Sequence, residues 1–98
     1  MDVTVEKEGT QLTLTLNGKL DTTTADILED IIEENKEDVQ SCVLDLSKLE
    51  YISSIGLRIF LKTDRYFAAK SGLRVKNVNE VIMEVFEMTG FDDILTIE

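Results

Sequence analysis

The chain has 98 residues, with twenty acidic and ten basic side chains, a formal net charge of −10, no histidine and one cysteine. That length predicts a single domain, residues 1–98, with one modest core that buries about 65% of the surface exposed by the unfolded chain. The charge disfavours direct contact with nucleic-acid phosphates and anionic lipid, the missing histidine removes the commonest general base and metal ligand, and a lone cysteine permits no internal disulfide.

Excess acid either keeps a small protein soluble or steers basic protein surfaces toward it, and charge alone does not choose between these roles. No long apolar span and no secretory signal stand in the sequence. The chain is therefore expected in the cytoplasm without membrane insertion, with Cys42 as a buried, inert thiol.

Val3 and Val5 alternate with polar residues, Lys7 to Thr10 supplies a turn, and Leu12, Leu14 and Leu16 alternate with Thr13 and Thr15. This period of two predicts an antiparallel hairpin with one apolar face. From Asp21, read as an N-cap, the spacing becomes helical. Ile27, Leu28, Ile31 and Ile32 form a stripe, and Glu29, Asp30, Glu33 and Glu34 face away from it. The helix is predicted to pack on the sheet.

Val43-Leu44-Asp45-Leu46 is short and nearly continuous in apolar character, the pattern of a central strand. A polar turn follows, and then Ser53 and Ser54 open a second helix with Leu57, Phe60, Leu61, Phe67 and Ala68 as its buried stripe. Gly72 is placed to end that helix in the left-handed conformation. Leu73 and Val75 begin another strand, Asn77 to Glu80 starts a third helix, and Gly90 stops it after Val81, Ile82, Val85, Phe86 and Met88. Ile94, Leu95 and Ile97 finish as a short helix or an edge strand. The predicted class is α/β: a mixed sheet of about four strands packed with helices.

Chemistry concentrates at the start of the second helix. A hydroxyl there can cap the helix, worth about 1 kcal/mol, or carry an anion that the unpaired N–H groups and the helix dipole stabilise. No capping box supports the first role, because Ser53 faces Gly56 and Ser54 faces Leu57 at the third position. Gly56 in a first helical turn costs about 0.5–1 kcal/mol relative to alanine. Close packing explains it, and so does the approach of a partner or phosphate to the backbone. Arg58, near the positive end of the same helix, is either a solvated surface residue or a group that pairs with a phosphate or with acids of a partner. Asp45 as an aspartyl phosphoacceptor lacks the acidic pair that would hold magnesium. The sequence has no glycine-rich phosphate loop, metal-ligand cluster or nucleophile beside a base. An enzyme, a cofactor and a metal are therefore not expected.

Val43-Leu44-Asp45-Leu46, a short linker and Tyr51-Ile52-Ser53-Ser54-Ile55-Gly56-Leu57, together with Gly18-Lys19-Leu20-Asp21, resemble the signature of the STAS domain family, the bacterial anti-sigma factor antagonists. The resemblance covers essentially the whole chain. The family often carries Asp-Ser-Ser-Gly or Asp-Ser-x-Gly, and counting back from Gly56 puts Ser53 in the aspartate's place and Ser54 in the acceptor's.

The resemblance implies a STAS-like domain that is phosphorylated on Ser54, with Ser53 as the secondary candidate. It implies a partner-binding face of Asp21, Ser53, Ser54, Gly56, Leu57 and Arg58. By the same resemblance the unmodified protein binds an anti-sigma factor serine kinase of the histidine-kinase ATPase fold and so releases a sigma factor for transcription. Phosphorylation breaks that complex, and a metal-dependent serine phosphatase restores it. The alternative is a constitutive STAS interaction subunit of a transporter-associated complex or signalling scaffold.

Overall fold

A computed structural model describes residues 1–98. Strand β1 (Asp2–Glu8) pairs antiparallel with β2 (Gln11–Leu20), as the alternation predicts. Leu12, Leu14 and Leu16 are fully buried on one side of β2, while Gln11, Thr13 and Thr15 stay partly exposed on the other. Burying each leucine contributes about 1.5–3 kcal/mol. Val5, opposite Leu14, remains 41% exposed because β1 is an edge strand with a neighbour on one side only.

After β2 come α1 (Ala25–Asn35), a single 3-10 turn, β3 (Ser41–Ile52), α2 (Ser54–Ala68), β4 (Gly72–Lys76), α3 (Glu80–Thr89) and β5 (Thr96–Ile97). The sheet order is β1-β2-β3-β4-β5, with every pair beyond the hairpin parallel. Each helical crossover thus advances the sheet by one strand in the same direction. Right-handed crossovers of that kind put all three helices on one face. The core lies between that face and the helices, with Leu44, Leu46, Phe60, Phe67, Val75, Ile82 and Phe86 among its residues. The expected central strand is β3, and of the two alternatives for the C-terminal segment the edge strand is observed, as the two-residue β5.

Several local expectations are corrected. The polar turn after Leu46 is strand: β3 runs on to Ile52 because β2 is long enough to pair with it from Gln11 to Leu20. Register shifts between Thr15 and Asn17 and between Gly18 and Lys19 absorb the polar residues as bulges. Gly72 has φ +99 but does not end α2. The helix stops at Ala68, Ala69 is its right-handed cap, and Gly72 opens β4 after an intervening turn. Ala68 is exposed and Leu61 only partly buried, so Gly56, Leu57, Ile59, Phe60, Thr63 and Phe67 form the buried stripe instead. On α1 the stripe narrows to Leu28 and Ile32, with Ala25 ahead of them and Ile27 42% exposed. The third helix begins and ends as expected. The Asn79 side chain accepts from Ile82 N–H at 3.0 Å, and Gly90 ends the helix at φ +80. Of its apolar residues, Ile82 and Phe86 reach the core, while Val81 and Met88 face solvent.

Candidate functional site

Leu20 and Ile52 are register partners at the carboxyl ends of β2 and β3, so the residues that follow them, Asp21 and Ser53, emerge side by side at one end of the sheet. Open parallel sheets place their ligand crevices at this end. The Ser53 amide donates to the Leu20 carbonyl at 2.9 Å, which ties the two exits together.

Ser53 is the N-cap of α2, in the extended conformation. Its hydroxyl accepts from Gly56 N–H at 3.4 Å, and its carbonyl accepts from Leu57 N–H at 3.0 Å. Ser54 is the first residue of the helix and is exposed, and no acidic side chain occupies that first turn. The two adjacent serines therefore differ in kind. One spends its hydroxyl on the helix, and the other presents its hydroxyl to solvent at the positive end of a fifteen-residue dipole.

Gly56 and Leu57 lie beneath this surface. Gly56 is buried, and a Cβ built on it would stand 2.8 Å from Leu20 Cγ and 2.9 Å from Ile52 Cγ1. Leu57 is 7% exposed and belongs to the core. Close packing therefore accounts for the glycine. Arg58 is exposed and forms no ion pair.

Asp21 is not the N-cap of α1; that position is Thr24, which makes no side-chain cap bond. Asp21 instead builds the preceding turn. Its Oδ1 accepts from Thr23 N–H at 2.9 Å, from Thr23 Oγ1 at 2.7 Å and from Thr24 Oγ1 at 3.3 Å, and its carbonyl accepts from Ala25 N–H at 2.9 Å. The Thr23 hydroxyl and amide, followed by Thr24, hold the carboxyl below its ordinary value. The Asp21-Thr22-Thr23-Thr24 run was the available signal, since a short carboxylate followed by hydroxyls marks such a turn.

Asp45 accepts from Ser47 N–H at 3.0 Å within β3. Burial raises its carboxyl, but the Ser47 amide and hydroxyl, the Asn77 side chain and the Lys76 charge together outweigh that and keep it below the ordinary value. Burial pushes the Cys42 thiol up to about 12, so it is no nucleophile at neutral pH. No group of three or more acidic, cysteine or histidine side chains is placed to hold a metal ion, and no helix is long and apolar enough to cross a membrane.

The chain spans most of the length of the curated relatives it matches. The anti-sigma-B factor antagonist of Bacillus subtilis is 27% identical over 101 residues, spanning 99% of this chain and 90% of that protein. The crystal structure of an anti-sigma factor antagonist from Mycobacterium paratuberculosis superimposes with a TM-score of 0.88 at 26% identity, over 98% of this chain and 83% of that one. The Bacillus cell fate determinant SpoIIAA in its phosphorylated form shares the fold, with a TM-score of 0.76 at 18% identity over 99% and 91% of the two chains. Residues 2–98 match the STAS domain, and with the sheet order and the serine-opened helix described above, the chain belongs to the STAS domain family.

Proposed function

We propose that this protein is an anti-sigma factor antagonist whose binding is switched by phosphorylation of Ser54. Unmodified, it binds an anti-sigma factor that is also a serine kinase of the histidine-kinase ATPase fold, and the sigma factor is released. Phosphorylation ejects the antagonist, and a metal-dependent serine phosphatase returns it to the binding form. In this reading the chain is a substrate and a binding protein in the cytoplasm, and it catalyses nothing.

The observation that carries the reading is the division of work between the two serines. Ser54 is exposed and uncommitted, whereas Ser53 is partly buried and caps the helix. The partner class is supported by the Bacillus subtilis relative, whose name makes it an antagonist of an anti-sigma factor. The phosphorylated SpoIIAA structure supports the compatibility of this fold with phosphate.

The switch follows from electrostatics. A phosphoserine adds about 1.5 to 2 negative charges. At an exposed helix start those charges are satisfied by backbone N–H groups and water, but inside a docked interface shaped for a hydroxyl they must be desolvated. Asp21, Ser53, Ser54 and Arg58 form the partner-facing surface, and Gly56 and Leu57 hold it from beneath. Incubation with the kinase and ATP, followed by fragment mass spectrometry, tests the assignment: one phosphate is expected, on Ser54. Phosphate on Ser53 alone would overturn it. A bound kinase that leaves Ser54 unmodified would favour the constitutive STAS module of a transporter complex or scaffold.

A further inference from the structure

Ser54, Arg58, Lys62 and Arg65 are all exposed, and their spacing of four, four and three places them on one line of α2. The line runs about 16 Å along the helix. The one acidic residue of α2, Asp64, lies off the line and is partly buried. Arg58 and Arg65 have no carboxylate partner, and Lys62 reaches Glu29 of α1 at 3.0 Å.

Beside this line runs a groove between α1 and α2. One section, of about 220 Å³, is lined by Ala25, Ile55, Arg58 and Ile59. The next, of about 320 Å³, continues past Lys62 to Arg65 and Tyr66. The α1 wall contributes Asp26, Glu29 and Glu33, with Lys36 at its end paired to Glu33 at 3.0 Å, so the α1 side is mainly acidic and the α2 side basic.

In a chain of net charge −10, a row of three cations of which Arg58 and Arg65 form no ion pair stands against the prevailing field. An acidic segment is repelled by the rest of the molecule and by the α1 wall, and it finds complementary charge on the α2 side. Such a local reversal fixes register and suppresses other docking modes. We infer that the Arg58–Lys62–Arg65 face of α2 docks an acidic segment of the partner, with Ser54 at the head of that contact. The inference rests on the Ser54 switch proposed above and adds the chemistry of the partner surface. It also gives the switch a second component. Helical side chains lean toward the N-terminus, so Arg58 is aimed at the turn that holds Ser54. A phosphate there competes with the partner's carboxylates for Arg58 and repels those within about a Debye length of it, at the Arg58 end of the row.

The test is titration of the purified cognate serine kinase against the wild type, Arg65→Glu, Arg65→Lys and Ser54→Asp, at about 0.05 M and 0.5 M salt. Arg65 is about three turns from Ser54 and outside the proposed phosphorylation site, so its reversal reads the row alone, and equal melting temperatures exclude a folding effect. Arg65→Glu is expected to weaken binding at least about fivefold at low salt, with the difference shrinking at high salt, and Arg65→Lys to retain most of the affinity. Arg65→Glu binding like the wild type while Ser54→Asp is weakened would overturn the docking row and leave the switch standing. Loss with Arg65→Glu but not with Ser54→Asp would support the row and sink the switch. Equal affinity of all four proteins, or no binding by the wild type, would overturn both.

Discussion

Leu20 and Gly56 are in such close contact that a single methyl group does not fit between them: a Cβ on Gly56 would lie 2.8 Å from Leu20 Cγ. The start of α2 is thereby seated on the ends of β2 and β3, and the height of Ser54 above the sheet is set by this contact. Gly56→Ala gains up to about 1 kcal/mol of helix propensity and incurs overpacking of about 1–3 kcal/mol, because Leu20 and Ile52 are themselves core residues without room to retreat. Urea unfolding should therefore show a net loss of stability. Unchanged or increased stability together with lost partner binding would assign the glycine to backbone approach instead.

The two serines should separate in the same assay. Ser53→Ala removes the acceptor of Gly56 N–H, a long bond at 3.4 Å, and is expected to cost about 0.5–1 kcal/mol, the lower part of the range for N-caps. Ser54→Ala should fall within about 0.5 kcal/mol of wild type, as for an exposed position without a partner. It should also abolish phosphorylation and leave the partner bound permanently. A larger stability loss at Ser54 than at Ser53 would reverse the assignment of cap and acceptor.

Much of this was legible in the sequence because local and tertiary signals agree. The leucine alternation of β2, the apolar run of β3 and the Asn79 and Gly90 boundaries of α3 are each set by residues next to them in the chain. What could not be read depended on distant neighbours. Ser47-Lys48-Leu49-Glu50 looks like a turn, and only pairing with Asn17 and Gly18 of β2 makes strand of its residues. The crowding over Gly56 comes from Leu20, far away in sequence, so neighbouring residues alone do not distinguish packing from partner approach. At Asp21 the residue was identified but its role was not. A carboxylate before a helix suits an N-cap, but the three threonines that follow draw it into a turn of its own.

Two aspartates should move stability with pH in opposite directions. Burial raises the Asp64 carboxyl above its ordinary value of 3.8, with the Arg65 charge opposing. The charged form is thus penalised in the folded state above that raised value, and the penalty fades as pH falls through it. Asp64→Asn is expected to be more stable than wild type at pH 7, with the gap closing in acid. The Thr23 and Thr24 hydrogen bonds depress Asp21 below 3.8. Its contribution is complete above that value and is lost as pH falls through the lowered one, so Asp21→Asn should be less stable at pH 7 and converge with wild type only in strong acid. Thermal melts of the three proteins from pH 7 downward check both signs. A parallel shift at all pH values would remove charge as the cause.

Titrating the anti-sigma factor kinase against unmodified protein and protein phosphorylated on Ser54, with circular dichroism on both forms, tests the phosphoserine switch itself. Phosphorylation is expected to lower affinity at least about tenfold, equivalent to about 1.4 kcal/mol, while the spectrum and melting temperature of the free protein change little. Equal affinities would contradict the switch, and a large unfolding signal would replace ejection at the interface with a conformational change of the whole domain.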